Sequence, residues 1–155
     1  LHEGPALVRY PRGKGPGVEP GETLEALAWG RGEVVRSGRR VAILSFGALL
    51  GNAAEAAEAL DASLANMRFV KPLDTALVDR LAAEHELLVT VEENVVMGGA
   101  GSAVAERLAE SGQQVRLLQL GLPDRFIEQA TQAEQLEAAG LSAEQMVARI
   151  GAVLG

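Results

Sequence analysis

The run Val41-Ala-Ile-Leu-Ser-Phe46 decides the fold class of this sequence. All but one of its side chains are apolar and the run is short, which is typical of a strand buried on both faces of a parallel sheet. A second run of this kind, Leu-Leu-Val-Thr-Val, occupies residues 87–91. The spacing of the two runs is that expected for strands joined through helices in βαβ units.

Shorter apolar runs and helical stretches alternate around these two strands. The further predicted strands are residues 32–37, 64–69 and 115–120, and the predicted helices are residues 48–60, 75–84, 100–111, 132–139 and 142–154. Asp74 is expected to cap the helix at 75–84, and Ser142-x-x-Gln145 has the pattern of a capping box. This alternation predicts an α/β fold, with a mostly parallel sheet of about five strands and helices on both faces.

The first 28 residues differ in composition from the rest of the chain. Prolines and glycines punctuate residues 4–21 and leave room for one short strand at 6–10. We therefore divide the chain into a Pro/Gly-rich leading segment at 1–28 and an α/β domain at 29–155. The sequence also starts without methionine, so we expect a fragment of a longer polypeptide.

Length and composition exclude several classes of protein. The chain has 155 residues, the size of one compact domain. It has no cysteine and only two histidines, which excludes disulfide scaffolds and cysteine nucleophiles and makes a metal site unexpected. Its net charge of −7 disfavours nucleic acid as a partner. No apolar run reaches the roughly 18 residues of a membrane span, so we expect no membrane partner and a cytoplasmic location.

A basic loop follows the predicted strand at 6–10. Arg9, Arg12 and Lys14 lie there beside a proline and a glycine, whereas the last 105 residues carry seven basic and 16 acidic side chains. The proline ends the strand and the glycine allows a sharp turn, so Arg12 is expected to project from the rim of the sheet. A guanidinium there can hold a phosphate through two hydrogen bonds, but a solvated loop with an ordinary ion pair has the same pattern. The residues alone leave both interpretations open.

A glycine-rich loop at 97–102 follows the strand at 87–91 and opens a helix. Counted from Gly99, the dinucleotide pattern G-x-G-x-x-G requires glycine where the chain has Val104, and the Lys-Ser/Thr pair of a Walker loop is missing. We therefore interpret the loop as a helix N-terminus that packs closely against a neighbouring segment.

Few other side chains suggest catalysis. Glu92 and Glu93 lie where open α/β sheets bind ligands, but adjacent strand residues point to opposite faces and cannot act as an acid–base pair on one substrate. One of them can line a crevice or an interface, and solvated or ion-paired carboxylates fit the pattern equally well. His85 ends a helix and is interpreted as a surface histidine, and Ser45 has no evident His–Asp partner. The chain lacks a self-sufficient catalytic set, which is typical of a domain that completes an active site formed elsewhere.

Four motifs follow one another along the chain. They are Ala-Leu-Val-Arg-Tyr-Pro-Arg-Gly at 6–13, Met-Arg-Phe-Val-Lys-Pro-Leu-Asp at 67–74, Val-Glu-Glu-Asn at 91–94 with Met-Gly-Gly-Ala-Gly-Ser at 97–102, and Leu-Gly-Leu-Pro-Asp at 120–124 with Phe-Ile at 126–127. In this order and spacing they resemble the C-terminal domain of the 1-deoxy-D-xylulose-5-phosphate synthase family. The resemblance runs from residue 4 to about residue 150 and implies a fold like that of the transketolase C-terminal domain.

The resemblance also implies an activity and its cofactors. That family condenses pyruvate with glyceraldehyde 3-phosphate, with loss of CO2, to 1-deoxy-D-xylulose 5-phosphate, which feeds isoprenoid, thiamine and pyridoxal synthesis. It uses thiamine diphosphate and Mg²⁺, held by the first two of its three domains, and this chain corresponds to the third. We therefore expect no catalytic, cofactor-binding or metal-binding residue here, and no activity of the isolated chain. The expected partners are the remaining domains, a second subunit in a homodimer and the two substrates.

One site residue is carried over from the family. Arg12, the second arginine of Arg-Tyr-Pro-Arg-Gly, matches the arginine that holds the phosphate of glyceraldehyde 3-phosphate, with Arg9 and Tyr10 as supporting residues. The loop at 98–102 and the strand end at 92–94 are expected at the dimer interface. The alternatives are the related final domain of a transketolase or of a 2-oxo acid dehydrogenase β subunit, or a non-enzymatic module that binds a phosphorylated metabolite through the basic loop.

Overall fold

The structure, a computed structural model, describes residues 4, 5, 15, 17, 21, 23 and 25–155. The strands of this part of the chain are β1 (Glu33–Arg36), β2 (Val41–Phe46), β3 (Ser63–Asn66), β4 (Leu87–Val95) and β5 (Arg116–Leu122). Its helices are α1 (Leu50–Ala59), α2 (Thr75–Glu84), α3 (Ala100–Ser111), α4 (Gln132–Ala138) and α5 (Ala143–Leu154). None of these helices is long and apolar enough to cross a membrane.

The five strands form one sheet in the order β1-β3-β2-β4-β5. β2 lies at its centre and pairs in parallel with β3 and β4, and β4 pairs in parallel with β5. Among the strands of the described residues, β1 alone runs antiparallel, on the outer side of β3. The predicted mostly parallel sheet of five strands is confirmed.

Helices cover both faces of the sheet, as predicted. Because alternate strand residues point to opposite faces, β2 divides its side chains between two cores. Val41 and Ile43 pack in a cluster that includes residues of α1 and α5, whereas Ala42 and Leu44 pack in a cluster with residues of α2 and α3. All six residues of β2 are buried, which explains why this run is almost entirely apolar.

Several predicted boundaries shift at the carboxyl ends of the strands. β3 ends at Asn66 rather than at residue 69, because Arg68 has a φ of 57° and the chain turns away from the sheet there. β4 continues past residue 91 to Val95, which pairs with Leu122 of β5 after an irregularity in the register. The predicted strand at 6–10 lies outside the described residues.

The helix caps follow their predictions in part. Asp74 caps α2 and accepts a hydrogen bond from the Leu77 N–H at 3.1 Å. Ser142 accepts one from the Gln145 N–H at 3.4 Å, but the side-chain oxygen of Gln145 is buried without a partner in the described part of the chain, so the predicted capping box is only half formed. A complete box stands instead at α4, between Thr131 and Glu134. The hydrogen bonds from Thr131 lower the pKa of the Glu134 carboxyl below its ordinary value.

Candidate functional site at the carboxyl edge of the sheet

The candidate phosphate-binding residues lie in the leading segment. Arg12, Arg9 and Tyr10 fall outside the described residues, and their roles stay predictions. The other candidate residues are described, and most of them lie at the carboxyl ends of the parallel strands. This edge is where open α/β sheets bind their ligands.

Glu92 is a buried carboxylate at the end of β4, with only 3% of its surface exposed. Its two oxygens accept the first backbone N–H groups of α3, from Ala100 at 2.7 Å and from Gly101 at 2.8 Å. A helix N-terminus has unpaired N–H donors and a positive partial charge, so it suits an anion. The chain therefore fills this anion-binding position with its own side chain, and the solvated or ion-paired interpretation of Glu92 is wrong.

The glycine loop packs against this carboxylate as predicted. A Cβ atom on Gly99 would lie 2.3 Å from an oxygen of Glu92, and one on Gly101 would lie 2.6 Å from the hydroxyl of Thr90. Real Cβ atoms do not approach so closely, so only glycine lets α3 start in contact with β4. The Thr90 hydroxyl is itself fully buried and has no hydrogen-bond partner in the described part of the chain.

Glu93 points away from Glu92, towards the opposite layer of helices. It is half-buried and accepts a hydrogen bond from the side chain of Gln132 in α4 at 3.2 Å. The prediction that the two carboxylates point to opposite faces of the sheet is confirmed. They serve two different contacts between the sheet and its helices.

Two clefts of about 360 Å³ each open beside these strand ends. The first includes Met97 and Arg149 in its lining, the second includes Phe126, and both share Arg125. Met97 is three-quarters exposed and Phe126 is fully exposed. Exposed side chains of this size next to a cleft are typical of an interaction surface.

Asp74 is the second buried acidic side chain of this edge and joins three segments. It is 6% exposed, caps α2 and also accepts the Gly32 N–H at 3.0 Å and a guanidinium hydrogen of Arg31 at 3.2 Å. The last two partners come from more than 40 positions earlier in the sequence. Asp74 therefore fixes the chain that leads into β1 against the start of α2.

His85 is half-buried rather than a surface residue, which corrects that prediction. Its Nδ1 lies 2.9 Å from the carbonyl oxygen of Leu81, and its Nε2 lies 2.8 Å from the hydroxyl of Ser63. The pair has the distances of a serine–histidine dyad, but Ser63 is 4% exposed and also accepts the Gly38 N–H. A substrate cannot reach a buried hydroxyl, so this pair ties β3 to the end of α2 and does not act as a nucleophile.

The described residues do not fit a metal ion or a bound diphosphate. No group of three acidic, histidine or cysteine side chains among them could hold a metal. The N-terminus of α3, where a phosphate would be expected in this type of fold, is occupied by Glu92. The carboxyl ends of the described strands hold their own helices in place. The loops that follow these strands are exposed and can contact a partner.

A comparison with known families identifies this architecture. The family "Transketolase, C-terminal domain" matches residues 30–146, more than half of the chain. The chain belongs to the transketolase C-terminal domain family. The part of this domain that matches contains all five strands, the Glu92 carboxylate and the Asp74 contact.

Curated relatives narrow the resemblance within this family. The domain is 58% identical over 152 residues to the 1-deoxy-D-xylulose-5-phosphate synthase of Azoarcus sp., and 59% identical over 155 residues to that of Acidovorax ebreus. These matches cover 98% and 97% of the chain but 25% of each relative. The resemblance to the C-terminal domain of these synthases is confirmed, and the chain spans about a quarter of their length.

Solved structures agree on the fold. A split-gene transketolase, described as an "inactive beta4 tetramer", has 36% identity and a TM-score of 0.72, with 79% of this chain and 40% of that chain covered. The transketolase of Campylobacter jejuni has 17% identity and a TM-score of 0.53, with 78% of this chain and 18% of that chain covered, and supports the fold alone.

Proposed function

We propose that this domain works within a thiamine-diphosphate-dependent synthase that condenses pyruvate with glyceraldehyde 3-phosphate to 1-deoxy-D-xylulose 5-phosphate and CO2. The observation that supports this most is the 58% identity to a synthase of that name over 98% of the chain. The product would supply isoprenoid, thiamine and pyridoxal synthesis. The isolated chain is inactive in this proposal, because it lacks the part of the enzyme that holds the cofactor.

The proposed contribution of this domain to the reaction is to bind the acceptor phosphate. Arg12 would hold the phosphate of glyceraldehyde 3-phosphate through charge-assisted hydrogen bonds, with Arg9 and Tyr10 supporting the loop. The phosphate takes no part in bond formation, so its binding energy can orient the aldehyde towards the reacting carbon. This domain would thereby act on the second substrate and leave the first, pyruvate, to other parts of the enzyme.

Thiamine diphosphate and Mg²⁺ are assigned to the remaining three quarters of the enzyme. Neither fits the described residues, because no metal ligand set is present among them and Glu92 occupies the N-terminus of α3. When bound, the cofactor supplies the electron sink for decarboxylation. The remaining domains are therefore the first partner that we propose for this chain.

The Arg12→Ala variant of the full-length synthase tests the role of this arginine. Loss of a charge-assisted phosphate contact is worth about 1.5–3 kcal/mol, which raises the KM for glyceraldehyde 3-phosphate about ten- to hundredfold. The KM for pyruvate should change little. Arg39→Ala is the matched control, because the Arg39 side chain is 87% exposed and lies just before the amino end of β2, away from the carboxyl ends of the strands. An unchanged acceptor KM in Arg12→Ala would remove this assignment.

We further propose that the enzyme forms a homodimer to which the loop after β4 contributes. The split-gene transketolase of similar structure is described as a tetramer, which supports self-association. Within that loop, Gly99 is buried against Glu92, so a bulky residue there would disturb the domain whether or not a dimer forms. Met97 is exposed at the tip of the same loop and is the better probe.

Met97→Glu tests the proposed dimer contact in the full-length enzyme. An exposed apolar side chain at an interface is replaced by a charge, so the native mass should shift towards the monomer at low protein concentration. Val35→Glu, at a half-exposed apolar residue of β1 on the far edge of the sheet, is the control. Equal native masses for the two variants would contradict the role of this loop.

A further inference from the structure

A second apolar surface lies where the chain leads into β1. Leu27, Trp29 and Val70 are 59%, 68% and 50% exposed, and the ring of Trp29 packs against Phe69 with 5.5 Å between the ring centres. We call these four residues the Trp29 surface. Single exposed apolar residues are common, but exposed apolar residues beside a pair of packed aromatic rings are typical of a binding surface.

The Trp29 surface is held in place from below. Gly30 packs so closely on Pro72 that a Cβ atom would lie 2.7 Å from the proline ring, and Asp74 binds the Gly32 N–H and the Arg31 guanidinium. These contacts fix the two segments that carry the surface against each other. A surface that is already ordered loses little conformational entropy when a partner binds.

The turn that presents Phe69 and Val70 is also specified by the fold. Arg68, just before them, has a φ of 57°, a backbone region that residues other than glycine seldom adopt. Arg68 forms an ion pair with Glu33 of β1, which holds the turn against the edge strand. The structure thus maintains an unfavourable backbone conformation directly before two residues of the Trp29 surface, and such positions often have a functional cause.

Two exposed cations lie at the rim of this surface. Arg31 is 62% exposed although it contacts Asp74, and Lys71, next to Val70, is exposed as well. Elsewhere in residues 51–155, acidic side chains outnumber basic ones, with 14 carboxylates besides the buried Glu92 and Asp74 and six basic groups besides Lys71. A partner that fits this place has an apolar centre and an acidic rim.

We propose that the Trp29 surface docks against the preceding domain of the same polypeptide. This inference rests on the proposal that the remaining domains are partners of this chain, and it does not depend on the role of Arg12. The relatives are about four times longer than the chain, and this domain is their C-terminal one, so their preceding domains connect through the segment that carries Leu27 and Trp29. A covalent connection gives the two surfaces a high effective concentration, so a small, partly polar interface is enough for docking.

The test uses the full-length synthase and the variant Val70→Glu. A carboxylate on the Trp29 surface would face the acidic rim of the preceding domain and release it. We expect trypsin to cleave after Arg31 about ten times faster than in the wild type, with an unchanged native mass. Val35→Glu is the matched control, because it makes the same substitution at a valine of similar exposure, 47% against 50%, outside the Trp29 surface, and its cleavage rate should equal that of the wild type.

Two results would overturn the proposal. The first is a cleavage rate in Val70→Glu no higher than in Val35→Glu. The second is a lower native mass in Val70→Glu, which would assign the surface to a second copy of the chain. Leu27→Glu, at an exposed side chain on the other segment of the surface, should reproduce the faster cleavage and guards against a folding defect specific to Val70→Glu. The acceptor KM is not read in this experiment, so its result is independent of the Arg12→Ala test.

Discussion

Glu92 and Asp74 are both buried carboxylates at a helix N-terminus, yet they join different parts of the molecule. Glu92 binds the two N–H groups that open α3, only eight and nine residues further along the chain. Asp74 binds the N–H of Leu77 in α2, but its other partners, Arg31 and Gly32, are remote in sequence. One carboxylate completes a local strand–helix turn, and the other attaches the residues just before β1 to the start of α2.

The difference shows how a buried charge can be neutralised in two ways. Glu92 relies on backbone donors and the helix dipole in its two hydrogen bonds, whereas Asp74 adds a guanidinium that is itself 62% exposed. An exposed cation contributes little because water and salt screen it. Most of the stability at both positions should therefore come from the backbone hydrogen bonds, and substitutions can test this.

Glu92→Ala should have the largest effect. It leaves two buried N–H donors without an acceptor and opens a cavity, so the free energy of unfolding should fall by about 3 kcal/mol. Denaturant unfolding of the chain measures this. Glu92→Gln, which keeps the shape and one acceptor oxygen, is the control and should lose less. Equal stability of Glu92→Ala and the wild type would show that α3 does not need the carboxylate.

Asp74→Ala should cost somewhat less, about 2 kcal/mol, because the capping bond and the Gly32 contact are lost at a position nearer to solvent. Asp74→Ser keeps an oxygen that can cap α2 but cannot reach Arg31, so it should restore about half of the loss. Hydrogen exchange should show faster exchange at Gly32 in both variants and at Leu77 only in Asp74→Ala. Faster exchange at Leu77 alone would show that Asp74 does not hold the residues just before β1.

Arg31→Ala sharpens the comparison, since it removes the guanidinium and leaves the backbone donors of Asp74 in place. The expected loss is below about 1 kcal/mol, as for exposed ion pairs. In the Asp74→Ala background the same substitution should have no further effect, which a double-mutant cycle measures. A loss as large as that of Asp74→Ala would contradict the dominance of the backbone bonds.

The smallest effect is expected at the half-buried pair of Asp79 and Arg107, which connects α2 to α3. The hydrogen bond from Arg107 holds the pKa of the Asp79 carboxyl below its ordinary value of 3.8. A carboxyl with a lowered folded-state pKa stabilises the fold above the pKa of the unfolded chain, and this contribution is lost as the pH falls through the folded-state pKa.

Thermal unfolding at several pH values checks this pair. Arg107→Ala should lower Tm slightly at pH 6, and the difference from the wild type should shrink as the pH falls below about 4. Arg80→Ala, at an exposed arginine one position along the same helix from Asp79, is the control. A difference that stays constant down to pH 2 would assign the effect to lost packing of the arginine stem.

Much of this fold could be predicted because its signals are local. The apolar run of β2, the cap at Asp74 and the glycine-rich start of α3 each follow from side-chain chemistry over a few residues. The end of β4 could not be predicted in the same way, because a charged residue such as Glu92 is typical of the end of a buried strand. In the structure, Glu92 is buried within β4 because backbone N–H groups of α3 donate hydrogen bonds to it. Ser63 and His85 were missed as a pair for the same reason, since 22 residues separate them.

In the candidate site, too, local contacts could be predicted and contacts between residues remote in sequence could not. The close packing of Gly99 follows from its place between a strand and a helix, and the structure has the same contact. The contacts of Asp74 with Arg31 and Gly32 could not be predicted, because no local pattern relates residues more than 40 positions apart. The proposed role of Arg12 involves a substrate and further domains of the proposed enzyme, so it stays a prediction that rests on the family resemblance.

The most direct test of the proposed role of this domain compares two acceptors in the full-length synthase. The ratio of kcat/KM for glyceraldehyde 3-phosphate to that for unphosphorylated glyceraldehyde measures how much the enzyme gains from the phosphate. If Arg12 holds that phosphate, Arg12→Ala should lower this ratio by about tenfold or more while kcat/KM for glyceraldehyde stays nearly constant. An unchanged ratio, which includes an equal loss of kcat/KM with both acceptors, would contradict acceptor-phosphate binding by this domain.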